Sequence, residues 1–316
     1  MKGAKVFVAG GAGLVGANLV ERLLDAGACV SASCHKRLAS AHRKVYRRLE
    51  LARFEDCLTA TRGMDLVFLA AARRANASAM QNNPTAQLLP NLQVQAGLLE
   101  ACARNRVGRV VLISSSTLYQ EVEHPLKEEE LDLNRPMHRQ HQGVGWLNRY
   151  VEQLALYYMQ AHRMSVWIVR PTNIFGPHDD FEPDTANVIP ALIRRAAERE
   201  DPFVVWGDGT AVRDFLFVDD FIADLLTWIE GGPPGEPVNM GSGVAMTVRE
   251  AVDVVLEVCG HRVLPRYDPA KPASIPYRML DLSRLKQRVG LRSRTPFPKA
   301  VQRTFDWYQA QGVRQT

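Results

Sequence analysis

Apolar and polar positions alternate along the first half of the chain in blocks that are typical of strands and helices. Six apolar runs predict buried strands, at residues 4–9, 28–34, 45–51, 64–71, 107–114 and 165–170. Apolar residues recur at helical spacing over 17–26, 54–61, 84–105 and 146–159. This alternation predicts an α/β fold, in which a doubly wound parallel sheet is covered by helices on both faces.

A glycine-rich turn, Gly10-Gly11-Ala12-Gly13-Leu14-Val15-Gly16, joins the first strand to the first helix. Strand, glycine turn and helix in this order form the phosphate-binding corner of a dinucleotide fold. Gly10 permits the tight turn, Gly13 lets the backbone approach a pyrophosphate, and Gly16 lets the helix pack against the strand. The positive end of the helix then faces the phosphates. The alternative is a glycine-rich turn that holds no ligand.

The regular alternation ends near residue 180, where helices, short strands and Pro/Gly turns such as 231–234 follow. We therefore expect a Rossmann domain over residues 1–178, to which the chain returns near 214–240. Residues 179–316 are expected to form mainly a smaller substrate-binding lobe.

Basic residues follow the second predicted strand, at the point where an acidic residue commonly binds the ribose of NAD. The chain here reads Cys34-His35-Lys36-Arg37. Lys36 and Arg37 suit a 2′-phosphate, which favours NADP over NAD. The alternative is that both lie on a solvated loop.

Composition indicates which kinds of ligand and which cellular compartment the sequence favours. The chain has no run of about 18 apolar residues, so the sequence predicts no membrane span. The five cysteines are scattered, which favours free thiols in the cytoplasm and argues against a metal site. The net charge of +5 suits an anionic small molecule, and no basic tail or aromatic–basic motif indicates nucleic acid.

Six stretches of the chain carry a resemblance to a known family: PTNIFGPHDDF at 171–181, VIPALIRR at 188–195, VWGDGT at 205–210, RDFLFVDD at 213–220, VNMGSG at 238–243 and DPAKP at 268–272. The chain resembles the extended short-chain dehydrogenase/reductase superfamily, the NAD-dependent epimerase/dehydratase family, and within it the GDP-fucose synthases. This resemblance implies a nicotinamide cofactor, a substrate that is a nucleotide sugar linked to GDP, and a homodimer.

The resemblance also implies which residues bind. Cofactor contacts would come from Gly10, Gly13, Leu14, Val15, Gly16, Lys36, Arg37, Glu50, Leu51, Ala70, Ala71, Asn91, Ser114, Pro171, Asn173 and Ile174. Substrate contacts would come from Asn187, Val188, Leu192, Arg195, Trp206, Arg213 and Lys271. Guanidinium and ammonium groups suit a diphosphate, and an indole face suits a base.

The chain departs from the superfamily in its catalytic groups, which are a Ser or Thr and a Tyr-x-x-x-Lys pair. Ser115 matches the hydroxyl, but Val144 and Asn148 stand where Tyr and Lys are expected. The Cys and His with which GDP-fucose synthases epimerise correspond to Thr117 and Asn187. Valine cannot move a proton, so ordinary ketone reduction is disfavoured.

Other titratable residues then become candidates for acid–base work: His178, His141, His138, Asp179, Tyr119 and Glu121. Together with Ser115 and Thr117, His178 and His141 are the catalytic candidates that we carry forward. Three functions stay open: a nucleotide-sugar epimerase or dehydratase with atypical catalytic residues, a non-catalytic binding relative, and an enzyme of another substrate class. The helix over 146–159 could supply the dimer face, or it could be ordinary core.

Overall fold

A computed structural model of the chain describes residues 1–34, 43–73, 83, 85–183, 185–271 and 275–312. Its strands are β1 (Lys5–Ala9), β2 (Cys29–Cys34), β3 (Tyr46–Arg48), β4 (Leu66–Leu69), β5 (Arg109–Ile113), β6 (Ser165–Pro171), β7 (Asn173–Phe175), β8 (Val204–Trp206), β9 (Val212–Arg213), β10 (Phe215–Phe217), β11 (Val238–Met240), β12 (Met246–Thr247), β13 (Arg266–Asp268) and β14 (Tyr277–Arg278). Its helices are α1 (Leu14–Asp25), α2 (Phe54–Thr61), α3 (Leu88–Arg104), α4 (Gln142–His162), α5 (Val188–Ala197), α6 (Val218–Gly231), α7 (Val248–Val258), α8 (Ser283–Val289) and α9 (Phe297–Gly312).

Seven parallel strands form the main sheet, in the order β11-β6-β5-β4-β1-β2-β3. The strand order reverses between β1 and β4, and this reversal is the point at which doubly wound sheets bind ligands beyond the carboxyl ends of the strands. The predicted α/β fold with a doubly wound sheet is confirmed.

Side chains alternate between two cores along each central strand, because successive residues of a strand point to opposite faces. Val6 and Val8 of β1 pack in the core that also contains α1 and α6 residues. Phe7 and Ala9 pack in the core on the other face, with residues of α2, α3 and α4. Both faces of the sheet are therefore dry, as a parallel sheet requires.

The predicted element bounds differ from the observed ones mainly at their ends. The third strand is limited to Tyr46–Arg48, and α4 begins at Gln142, four residues before the predicted start. The segment 171–177, predicted as a loop, contains β7, which pairs in parallel with β10. A three-residue strand bounded by polar residues has too short an apolar pattern to be separated from a loop.

Short strands and helices make up most of the chain after residue 178. β9 lies between β12 and β14, and β8 pairs with β13. β11 returns to the main sheet beside β6, and α6 packs against α1. The division of the chain at residue 178 stays a prediction. Within the described residues, none of the helices has the length and apolar character needed to cross a membrane.

Candidate functional site

The glycine turn lies at the carboxyl end of β1, next to the end of β4. Gly10 has a φ of +76°, and a Cβ on it would lie 2.6 Å from the Cα of Ala71. A Cβ on Gly16 would lie 2.1 Å from the carbonyl oxygen of Gly10. A Cβ on Gly13 would meet only that same oxygen, at 3.5 Å, which is ordinary contact. Packing therefore requires glycine at positions 10 and 16, whereas Gly13 leaves the corner open for a ligand.

The first turn of α1 is open to an anion. Gly13 is the N-cap, no side chain caps the helix, and no acidic residue lies in its first turn. The first intrahelical hydrogen bond runs from Ala17 N–H to the Gly13 carbonyl, so the N–H groups of Leu14, Val15 and Gly16 precede it. Unsatisfied N–H groups at the positive end of a helix fit a pyrophosphate.

The chain beyond β4 is held by side chains of α3. Gln95 Nε2 donates to the Ala71 carbonyl at 3.0 Å. The Asn91 amide accepts from Arg73 N–H at 2.7 Å and donates to the Arg73 carbonyl at 3.0 Å. Asn91 therefore shapes the segment that follows Ala70 and Ala71, with both ends of its amide engaged there.

The remaining cofactor candidates lie along the same sheet edge. Beyond β3, Leu51 is buried and Glu50 is exposed, and Glu50 N–H donates to Asp56 Oδ2 at 2.7 Å. Pro171 ends β6, Ile174 is half-buried in β7, and Asn173 Nδ2 donates to the Asp214 carbonyl at 3.0 Å. Lys36 and Arg37 lie outside the described residues.

A chain of hydrogen bonds joins three side chains just beyond β5. Thr117 donates to Ser115 Oγ through its backbone N–H at 3.2 Å and through its hydroxyl at 3.1 Å. Asn148 Nδ2 donates to Thr117 Oγ1 at 3.2 Å. We call Ser115, Thr117 and Asn148 the hydroxyl chain. It brings together the three residues that the resemblance aligns with the superfamily's hydroxyl, the epimerase Cys and the catalytic Lys.

Helix α4 approaches this group closely because residue 145 is glycine. A Cβ on Gly145 would lie 2.7 Å from the Thr117 carbonyl and 2.0 Å from Met137 Sδ. The approach sets the helical face that carries Val144 and Asn148 against the hydroxyl chain. In this sequence that face offers an aliphatic group and a neutral amide.

A buried ionic network lies behind the hydroxyl chain. Arg170 contacts both carboxylate oxygens of Glu152, and its Nη2 lies 2.7 Å from Glu152 Oε2. Ser114 Oγ donates to Glu152 Oε1 at 2.5 Å. Tyr119 accepts from Arg170 Nη1 and donates to Asn239 Oδ1, both at 2.8 Å. Burial raises the pKa of Tyr119 to about 12, so its phenol acts as a fixed hydrogen-bonding group at neutral pH.

Two arginines and a histidine form a basic cluster beside the hydroxyl chain. Arg213 of β9 and Arg278 of β14 are register partners on adjacent parallel strands, and both are buried. Arg213 Nη1 donates to the Val212 carbonyl at 2.7 Å, and Arg278 Nη1 donates to the Ser116 carbonyl at 3.1 Å. Arg278 Nη2 is buried with no hydrogen-bond partner among the described residues. We call Arg213, Arg278 and His141 the basic cluster.

Neither arginine of the cluster forms an ion pair within the part of the chain that the structure describes. Burial, with the neighbouring guanidinium as the second cause, lowers the pKa of Arg213 to about 10. Burial likewise lowers the pKa of Arg278 to about 10, although Glu121 and Tyr119 act in the opposite direction. Two buried like charges without a carboxylate between them favour an anionic ligand.

His141 is the third member of the cluster and comes directly before α4. Burial, followed by Arg278, His138 and Arg213, lowers its pKa to about 4. Its imidazole is therefore neutral near pH 7. Among the described residues, its buried Nδ1 has no hydrogen-bond partner.

His178, also a catalytic candidate, lies elsewhere. Its Nε2 is 3.5 Å from Glu21 of α1, and its ring packs 4.9 Å from the ring of Trp307 in α9. These contacts hold its side chain against two helices and do not join it to the hydroxyl chain or the basic cluster.

The other substrate candidates are spread over the second half of the chain. Asn187 is the exposed N-cap of α5, followed by the exposed Val188, and Leu192 is buried. Arg195 is engaged by Glu200, to which its Nε and Nη2 donate at 2.6 and 2.7 Å.

An exposed indole is also available in this half of the chain. Trp206 lies at the end of β8 opposite Asp268, and Lys271 is exposed three residues farther on. The Lys271 N–H donates to the Asp268 carbonyl at 3.2 Å. The aromatic ring and the ammonium group are therefore on neighbouring segments.

Sequence reasoning missed Arg278 and the contact of Asn148 with Thr117. β14 is only two residues long, so no periodicity marks Arg278 as a neighbour of Arg213. Asn148 was identified as a replaced lysine, but its partner depends on how closely α4 packs. Among the described residues, no cluster of three His, Cys, Asp or Glu side chains could hold a metal ion.

Similarity to known proteins extends over most of the chain. Residues 6–241 match the model of the NAD dependent epimerase/dehydratase family. The chain is 30% identical over 316 residues to probable GDP-L-fucose synthase 1 of Oryza sativa subsp. japonica, covering 97% of this chain and 92% of that protein. It is 30% identical over 319 residues to the dTDP-4-dehydro-6-deoxy-D-allose reductase of a Streptomyces species, covering 97% of each.

A solved structure of similar fold is the UDP-glucose 4-epimerase of Thermotoga maritima with UDP-glucose. It superposes with a TM-score of 0.86 at 20% identity, over 97% of this chain and 99% of that one.

Proposed function

The chain belongs to the NAD dependent epimerase/dehydratase family of enzymes, and we propose that it modifies the sugar of a GDP-linked sugar with acid–base groups that differ from the superfamily's Tyr and Lys. The observation that carries the proposal is the arrangement of three features. An open glycine corner lies at the carboxyl end of β1, and the basic cluster, whose arginines have no ion-pair partner among the described residues, adjoins the hydroxyl chain. Arg278 links the last two, because it donates to the carbonyl of Ser116, between Ser115 and Thr117.

The cofactor of this proposal is NADP, with the first turn of α1 binding its pyrophosphate and Lys36 and Arg37 binding its 2′-phosphate. When bound, a nicotinamide cofactor donates or accepts hydride. The open corner beside Gly13 supports a dinucleotide, and the absence of Asp or Glu at 34–37 supports NADP over NAD.

The GDP-linked substrate would place its diphosphate at Arg213 and Arg278. Neither guanidinium has a carboxylate within 4 Å in the part of the chain that the structure describes, and the two offer the paired donors that phosphate oxygens accept. Trp206, whose indole is exposed, would stack on the base, and Lys271 would lie near it. Ser115 and Thr117 would bind the oxygen atoms of the sugar.

Val144 and Asn148 decide which chemistry we expect. A tyrosine at 144 and a lysine at 148 would supply the proton for ketone reduction, but these two positions hold valine and asparagine. Epimerisation or elimination with another acid–base group is therefore favoured. The same two residues favour the second candidate function, a protein that binds NADP or the nucleotide sugar without turnover.

Ligand binding and a restoration variant test the proposal. We expect the purified chain to bind NADPH, and to be stabilised against melting by GDP more than by UDP or dTDP. In D2O with GDP-4-keto-6-deoxymannose, we expect deuterium to enter the sugar. Binding of both ligands without deuterium uptake would favour the binding protein, and the absence of binding would refute both functions.

The restoration variant is Val144→Tyr with Asn148→Lys. We expect it to gain about 10²-fold or more in NADPH-dependent reduction of the 4-keto sugar, because a positioned proton donor contributes about 10²–10⁴-fold. The matched control is Val144→Phe with Asn148→Lys, which adds the same bulk without the phenol. Equal rates in the two variants would contradict our assignment of these positions.

We also propose a homodimer through α3 and α4, which pack side by side. Trp146, Tyr150 and Tyr157 of α4 and Leu89 of α3 are exposed apolar residues on this layer. A two-fold pairing with a second copy of the chain would cover them. Light scattering tests this, with Tyr150→Arg expected to lower the mass to that of one chain.

All five cysteines are free, and we infer the reducing cytoplasm as the compartment.

A further inference from the structure

The start of α4 presents three residues along one face: His141, Val144 and Asn148. They are spaced at i, i+3 and i+7, which aligns them on one side of a helix. Asn148 donates to Thr117 Oγ1, so this face is turned toward the hydroxyl chain. His141 therefore lies one turn nearer the start of the helix than the position at which the superfamily has its tyrosine.

The imidazole of His141 forms no capping hydrogen bond with α4. The backbone N–H of His141 donates to the His138 carbonyl at 2.8 Å, but its side chain caps no helix. Its Nδ1 is buried without a hydrogen-bond partner among the described residues. An unpaired buried polar atom is destabilising, so its presence in a native structure calls for an explanation, and a catalytic role is one.

Charged groups surround this ring on two elements other than its own. Arg213 of β9 and Arg278 of β14 lie close enough to disfavour a positive charge on it, and His138 lies on its own segment with a ring-centroid separation of 5.9 Å. His138 Nε2 is 4.0 Å from Glu121 Oε1, so this segment also has a carboxylate nearby.

We propose that His141 is the catalytic residue that exchanges a proton with the sugar, next to a diphosphate held by Arg213 and Arg278. The inference rests on the proposed function and names the acid–base group of that site. The substrate class is a nucleotide sugar with a ring carbonyl and a hydrogen on the adjacent carbon.

The step is balanced without any further reactant except water. The C–H bond beside the carbonyl breaks, and its proton goes to the free imidazole nitrogen of His141. The electron pair forms the enolate, whose oxygen receives hydrogen bonds from Ser115 or Thr117. The imidazolium returns a proton to the carbon after exchange with water, so that deuterium from D2O enters the sugar.

Arg213 and Arg278 make proton transfer to His141 depend on whether the substrate's diphosphate is bound. Without an anion, two guanidiniums oppose a positive charge on His141 and contribute to its lowered pKa. A bound diphosphate offsets both charges and raises the affinity of the imidazole for a proton. A general base is most effective when its pKa lies near the working pH, so the ligand prepares the base that acts on it.

Histidine ring titration by NMR tests the inference without a need for turnover. Two-bond ¹H–¹⁵N spectra of the full chain would be recorded from about pH 3 to 8, a range that includes the midpoint near pH 4 of the free chain, without ligand and with saturating GDP. His141→Gln assigns the His141 signals, and His124→Gln, at an exposed histidine paired with Glu130, is the matched control. We expect GDP to raise the pKa of His141 by about one unit or more, since an opposite charge nearby shifts a pKa by about 1–3 units.

The outcomes separate the inference from the function on which it rests. GDP that binds and leaves the His141 titration unchanged overturns the inference alone. A chain that binds neither GDP, UDP nor dTDP overturns the proposed function and the inference with it. For deuterium uptake, we expect His141→Gln to lose about 10²-fold or more and His124→Gln to lose nothing. Equal uptake in His141→Gln and the parent chain would overturn the role of His141.

Discussion

The carboxylate of Glu152 provides the sharpest test of how the site is supported. It is 2% exposed and accepts hydrogen bonds from Arg170 Nε at 3.1 Å, from Arg170 Nη2 at 2.7 Å and from Ser114 Oγ at 2.5 Å. Arg170 is 4% exposed, so water cannot replace this partner. Glu152→Gln keeps the shape of the side chain and removes its charge.

We expect Glu152→Gln to lower the free energy of unfolding by about 3 kcal/mol. Breaking a buried ion pair costs about 3–5 kcal/mol, because the remaining charge stays buried and unpaired. Arg170 keeps its hydrogen bonds to the Tyr119 hydroxyl at 2.8 Å and to the Glu128 carbonyl at 3.2 Å. The lower end of the range is therefore expected.

Urea unfolding at pH 7 measures the difference, with Glu198→Gln as the matched control. Glu198 pairs with Arg194 at i and i+4 on α5, at 2.7 Å, but its side chain is 52% exposed. Exposed pairs of this kind contribute about 0.5 kcal/mol or less. The reasoning is refuted if Glu152→Gln costs under about 1 kcal/mol, or no more than Glu198→Gln does.

Two further predictions follow from the glycine corner and from His141. Gly16→Ala is expected to destabilise the fold, since its Cβ would lie 2.1 Å from the Gly10 carbonyl oxygen. The Cβ of Gly13→Ala would lie 3.5 Å from the same oxygen, so this variant should fold normally and lose NADPH affinity. Melting curves and NADPH titrations check both, and Gly13→Ala with unchanged affinity would contradict a pyrophosphate at the corner. The pKa of His141 is about 4 when folded and near 6.5 when unfolded, so its contribution to stability is present above pH 6.5 and is lost as the pH falls toward 4. We expect the parent chain to lose about 3 kcal/mol more than His141→Gln over that range, and parallel pH profiles would show that His141 is not buried as a neutral ring.

The sequence by itself determined the parts of this protein that depend on local pattern. The alternation of apolar runs and helical spacing predicted the α/β sheet, because a buried parallel strand and an amphipathic helix each have a short repeat. Gly10, Gly13 and Gly16, from their place between strand and helix, predicted a corner at which a phosphate could bind. The resemblance predicts that Val144 and Asn148 stand where the superfamily has Tyr and Lys, and this stays a prediction.

The tertiary structure decided which of the candidate side chains meet. Arg278 joins Arg213 only because β14 lies beside β9, and 63 residues separate these two strands in the chain. Arg195 and Arg213 are both arginines in the stretches of resemblance, yet Glu200 engages the first and no carboxylate pairs with the second among the described residues. His178 and His141 were equal candidates, and packing set one against Trp307 and the other beside two guanidiniums. Charge and burial act through space over a few ångströms, and such distances are set by how the strands and helices pack, which a linear pattern does not contain.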